Sequence, residues 1–224
     1  MLSEPALALT DLVLGAVSLT LAYHLRRAAG RDRLHNAWVA TFRWMGAAAI
    51  AGFVHHGFVT YSDTLDGPSF GIVTTMVVVA VSFLLAATVY EVLGPDRRPV
   101  FLALRVVTLA GYVALAVAGR AGTSSILLAE SVTMVLILGL WFLALWRGHE
   151  RAPRVITAFV VSALAAVVQA LPADSRLLGL DPVSLYHLAQ IPGIVLLYGA
   201  LTAGHRSEAS SLEPTRPSGR AAHL

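Results

Sequence analysis

The chain contains no cysteine and no lysine. The first absence removes thiolate catalysis, thiolate metal ligation and disulfides, and with them any reading of the redox compartment. The second excludes a Schiff base to retinal or to a carbonyl substrate, because all 16 basic residues are arginine. Charge of either sign is scarce: charged residues make up 13% of the chain, about half the ~25% of an average soluble domain. No stretch between the apolar runs is long enough to carry a core of its own, which excludes a separate soluble domain.

Apolar sequence fills the space that charge leaves. Hydrophobic residues account for 57% of the chain, and the mean hydropathy is +0.72. A hydrocarbon core about 30 Å thick takes about 20 residues at 1.5 Å rise. Seven stretches read as spans, at residues 5–27, 36–61, 70–93, 99–119, 124–146, 154–171 and 184–204, the sixth being short. Gly30, Gly67, Pro68, Gly94, Pro95, Gly119, Gly122, Pro153 and Pro172 punctuate them. The sequence therefore predicts an all-α, polytopic membrane protein, a seven-transmembrane helix bundle over residues 1–204. The polar tail at 205–224 cannot bury a face and is expected to be disordered. The first span has no basic n-region and is too long for a signal-peptide core, so it reads as a retained helix.

Alternate loops differ in arginine. Twelve arginines fall in the first, third and fifth connections and the tail, whereas the other side holds only Arg120 and Arg176. Arg43 and Arg105 lie inside helices near the basic side. By the positive-inside rule the basic side is cytoplasmic, which places the N-terminus outside and the C-terminus inside, as an odd number of spans requires. The pI near 9.7 and net charge of +3 are thereby assigned to topology, and no nucleic-acid partner is expected. Alanine-rich, arginine-only usage suggests a GC-rich genome and a bacterial cytoplasmic membrane. Trp38, Trp44, Trp141 and Trp146 read as an interfacial belt.

The stretch Gly46 to His56, GAAAIAGFVHH, is the most informative one. Small residues let helix backbones approach closely in lipid, and ionisable residues at membrane depth are expensive enough to mark function. Counting from the outer helix ends, His55 lies about 6 to 9 Å deep, His187 about 5 Å, Gln169 about 3 to 5 Å, and Asp11 and Glu130 about 9 Å. Five helices thus place a polar group at one level, which points to a pocket opening outward, with Gln169 and Gln190 in its lining. Asp11, Gly15 and Ser18 share one face, so Thr10 or Ser18 could satisfy Asp11 locally. Glu91 lies near the basic side, where Arg105 could pair with it.

These positions resemble the seven-helix hydrolase superfamily of alkaline ceramidases and adiponectin-type receptors. Histidine near the outer end of helix two, Asp66 eleven residues after His55, and His187 early in helix seven carry the likeness. The resemblance implies a zinc ion held by His55 or His56 and by His187, helped by a carboxylate such as Asp66, Asp63, Asp11 or Glu130. It also implies hydroxide attack on a lipid amide or ester. Two positions of the family pattern differ. Ala51 and Gly52 stand where a serine is expected, and Val183 and Ile191 flank His187 where a second histidine is expected. Adjacent histidines on a regular helix point about 100° apart, so His55 and His56 replace that pair only if the backbone unwinds.

A second reading is small-solute transport. Helices one to three and five to seven run in the same directions, as in a three-plus-one-plus-three repeat, although carriers usually bind near the midplane in broken helices and the only mid-helix proline here is Pro192. Asp11 and Glu130 each lie six residues from a helix start. A non-enzymatic membrane module is the third reading. Membrane lipid is the expected surrounding partner in all three.

Overall fold

The computed structural model describes residues 2–28, 32–94, 96, 98–120, 122–169, 171–172 and 174–211. Among the described residues there are seven α-helices: α1 (Pro5–Ala28), α2 (Arg33–Val54), α3 (Asp66–Leu93), α4 (Arg98–Val117), α5 (Thr123–Trp146), α6 (Ala152–Gln169) and α7 (Pro182–Ser211). A π-helical turn, His55–Val59, continues α2. Six of the seven are long and apolar enough to cross a membrane, while α4 holds only a shorter apolar run, Phe101–Val117. Helix α7 continues to Ser211, beyond position 204 where composition placed its end; residues 212–224 of the expected disordered tail lie outside the described residues.

Local chemistry explains two of the starts. Asp32 caps α2 by accepting the His35 N–H at 2.7 Å. Asp181 precedes Pro182, the first residue of α7, and accepts the backbone N–H groups of Val183 and Ser184 at 3.0 Å each. An acid before proline suits this place, because the first-turn N–H groups have no helical partner and proline lacks one.

The helices α1, α2, α3, α5, α6 and α7 form a closed ring of neighbours, and α4 packs on α3 from outside it. A close seam joins α1 to α2. A Cβ on Gly15 would fall 3.2 Å from the Gly46 carbonyl, and one on Gly46 would fall 3.1 Å from the Gly15 carbonyl. Only glycine at both crossings lets the backbones meet this closely. Leu128, Val135, Val107 and Leu164 are exposed on the perimeter, a surface that lipid covers and water would not.

The two ends of the ring differ. At the end where α1 finishes and α2 begins, here the arginine end, Leu25, Trp38, Phe42, Trp141 and Val155 build the best-buried part of the core. Glu91 sits within it and accepts from Trp38 Nε1 at 2.9 Å and Arg151 Nη1 at 3.2 Å, with His149 Nε2 at 3.9 Å. Trp141 Nε1 donates to Thr88. Two expectations change accordingly. Trp38 and Trp141 are core residues with buried partners, leaving Trp44 and Trp146 exposed, because an indole can go inside where its N–H is satisfied. The partner of Glu91 is Arg151, since Arg105 donates instead to Ser82 at 3.0 Å and lies 3.7 Å over the Phe83 ring.

Candidate functional site

At the opposite end, here the histidine end, the π turn decides where two adjacent imidazoles point. The Thr60 N–H reaches back five residues to the His55 carbonyl, so the turn holds one residue more than an α-helical one. The carbonyls it presents are taken up by the N-terminal segment. The Ser3 hydroxyl donates to the His56 carbonyl at 2.6 Å, the Glu4 N–H donates to the same oxygen, and the Ser3 N–H donates to the Gly57 carbonyl. The Thr60 hydroxyl completes the clamp on Ser3 at 2.5 Å.

His55 turns toward α3. It is 3% exposed, with Nδ1 3.1 Å from the Ser69 hydroxyl, Nε2 3.8 Å from Asp66, and Phe70 beside the ring. His56 turns toward α1. Its Nδ1 lies 2.8 Å from the exposed Glu4 carboxylate and its Nε2 lies 4.0 Å from Asp11 Oδ2. The two rings remain edge to face at 4.7 Å.

Asp11 is the centre of this end. It lies in the groove that Gly52 leaves open, where a Cβ would fall 2.7 Å from its Oδ2. From α7, His187 Nδ1 approaches Oδ1 to 3.1 Å. That distance would suit a hydrogen bond, but the angles do not, and among the described residues Asp11 Oδ2 and His187 Nδ1 are both buried without a hydrogen-bond partner. The local partners expected for Asp11 do not supply one: Thr10 donates to the Leu7 carbonyl, and the Ser18 hydroxyl is itself unpartnered. Buried polar atoms are normally paired, so this pair stands out as a place for a proton, a water or a ligand.

Among the described residues neither Glu130 nor Gln169 forms a hydrogen bond or ion pair with Asp11, His56 or His187. Ring order puts α5 across the bundle from α1, and Glu130 lies within electrostatic range of Tyr186, one turn before Gln190 on α7. Gln169, half-buried at the end of α6, makes no hydrogen bond to the cluster among the described residues. Level is one coordinate and azimuth another; sequence counting supplies the first alone. Sequence reasoning also missed Ser3, Glu4 and Ser69. Ser69 stands one turn after Asp66 and could have been found on that spacing, whereas Ser3 and Glu4 look like an ordinary helix start.

The donors for a metal are therefore divided, with His55 and Asp66 on the α3 side of the turn and His56, Asp11 and His187 on the α1 side. Among the described residues no group of three or more His, Asp or Glu side chains is arranged to hold a metal ion. The residues as placed do not fit the zinc set that the resemblance implied.

Six long apolar helices around a buried polar cluster define an integral membrane helix bundle. The chain belongs to a family of unknown function, DUF6962, whose family model matches residues 6–206. No curated protein and no solved structure matches it. The comparisons provide no link to the ceramidase and adiponectin-receptor superfamily.

Proposed function

We propose that this protein is a proton-linked carrier of a small solute, with Asp11 as its central proton-holding group and His56 and His187 as its partners. One observation carries the reading. Glu4, His56, Asp11 and His187 form a file from the exposed surface into the bundle, with successive distances of 2.8, 4.0 and 3.1 Å. An imidazole whose two nitrogens face two carboxylates can take a proton on one side and release it on the other. Intramembrane acids and histidines commonly serve such relays. Both histidine-bearing helices are irregular nearby: α2 through its π turn, and α7 through Pro192, which removes a backbone hydrogen bond one turn after His187. Carriers place their sites at such interruptions. By the positive-inside rule the arginine end is cytoplasmic, so the file opens to the exterior.

Infrared titration of the purified protein tests the proton site. A protonated-carboxyl band should grow as pH falls and be missing in Asp11→Asn. In proteoliposomes with an internal pH dye, challenged with a panel of amines, amino acids and sugars, Asp11→Asn should lower any proton-linked flux at least tenfold. Flux that persists in this variant would refute the assignment.

The second reading is a metal-dependent hydrolase of lipid amide or ester bonds. Two imidazoles flanking one carboxylate favour it, although they would have to turn toward a common centre to reach zinc bond lengths of about 2.0 to 2.1 Å. Stoichiometric zinc in the purified protein, lost in His187→Ala, would decide for it and against the carrier.

A further inference from the structure

The arginine end contains a feature that neither the proton file nor the core requires. Between α1 and α2 lies a cavity of about 310 Å³ lined by Leu19, Ala22, Tyr23, Arg26, Arg27 and Arg43. Arg26 and Arg27 stand in the last turn of α1, where a helix C-terminus favours cations. Arg43 is different. It lies ten residues into α2, about 15 Å from the start of that helix, inside a membrane span. An arginine at such depth is costly and normally pairs or faces a cavity. Among the described residues none of the three arginines in this cleft has a carboxylate within ion-pair distance, unlike Arg151 beside Glu91. Arg27 lies 4.5 Å over the Tyr23 ring, which shapes the wall but supplies no negative charge.

A second cavity at the same end repeats the arrangement. It measures about 260 Å³, and the other intrahelical arginine, Arg105, lines it together with Arg33. Its neighbours Ser82 and Phe83 likewise give Arg105 no anion. Arg43 and Arg105 thus each line a cleft shared with a second arginine at a helix end.

We propose that the cleft of Arg26, Arg27 and Arg43 binds the phosphate headgroup of an anionic phospholipid from the leaflet at the arginine end. The arginines surround the phosphate as planar forks, and Leu19 and Ala22 give the acyl chain an apolar path along α1. The commitment to lipid over free phosphate follows from the depth of Arg43 and from the apolar wall, since a free anion would leave that wall wet. Basic pockets between membrane helices are suited to this chemistry.

The test uses the full chain purified in a neutral detergent. Retained lipid is measured by native mass spectrometry, and the unfolding midpoint is measured with added phosphatidylglycerol, with phosphatidylcholine and with inorganic phosphate. Phosphatidylglycerol should be retained and should raise the midpoint, whereas phosphatidylcholine and inorganic phosphate should do neither. Arg43→Gln should weaken phosphatidylglycerol retention about fivefold, the effect of one arginine on an anionic lipid. Should that variant fail to fold, the double variant Arg26→Gln with Arg27→Gln, at the exposed helix end, carries the test with a larger expected loss. Equal retention of the two lipids, stabilisation by inorganic phosphate alone, or unchanged retention in a folded variant would each overturn the proposal. Proton uptake at Asp11 is read separately and does not bear on it.

Discussion

Glu91 and Asp11 are both acids shielded inside one bundle, with side chains 4% and 6% exposed, yet their surroundings are opposite. Glu91 receives an indole N–H and a guanidinium within the best-buried part of the core. Asp11 lies beside two imidazoles in a groove made by glycine, and one of its oxygens receives nothing. A buried charge that is fully partnered is part of the architecture. One that is held close to partners without aligned bonds is kept free to change its proton or its ligand.

The comparison breaks most sharply under neutralisation of each acid. Glu91→Gln leaves Arg151 without its carboxylate and should cost about 3 kcal/mol in detergent unfolding, at the lower end for a broken buried pair because Arg151 is 26% exposed. Asp11→Asn forfeits no aligned hydrogen bond and should change stability by less than about 1 kcal/mol while abolishing proton-linked activity. Equal stability losses would erase the distinction between the two ends.

A smaller effect sharpens it. Gly52→Ala puts a methyl group 2.7 Å from Asp11 Oδ2 and 3.0 Å from its Cγ, so the carboxylate must move. The expected cost is about 2 kcal/mol of overpacking, together with loss of the Asp11 infrared signal at its native position. The same substitution at Gly139, where a Cβ would meet nothing within 4 Å, should leave both measurements unchanged.

The smallest effect concerns the cap that sets α7, and with it His187. Burial disfavours a charged Asp181, but hydrogen bonds from the Ser184 hydroxyl and from the Ser184 and Val183 N–H groups outweigh it and hold the carboxyl below its ordinary value. A folded pKa below the unfolded value contributes stability above the unfolded pKa of about 3.9, and this is lost as pH falls through the lower folded value. Asp181→Ala should cost about 1 kcal/mol at neutral pH and remove that acid-side dependence. A variant whose acid-side stability profile overlays that of the parent would show that the cap does not hold α7.

Much of the polar level was legible from helix counting. The proximity of His187 and Asp11 required only that α1 and α7 be neighbours, and the face shared by Asp11, Gly15 and Ser18 is the buried one. Which way His55 and His56 point was not legible, because the π turn depends on Ser3, Glu4 and Thr60 accepting or donating from outside the helix. The choice of Arg151 over Arg105 for Glu91 followed from which helices neighbour which, and sequence spacing holds no record of that.

Composition, hydropathy and glycine placement were enough to dictate a helical membrane bundle, since a chain so poor in charge must satisfy its backbone internally and bury its apolar length in lipid. The sequence alone also placed Asp11, His55 and His187 toward one end of their helices. The tertiary structure decided azimuth: it brought His56 and His187 to Asp11, turned His55 toward α3, and joined Glu91 to Arg151. Rise per residue is a local property of the helix. Rotation and neighbourhood are set by the contacts that every other helix makes.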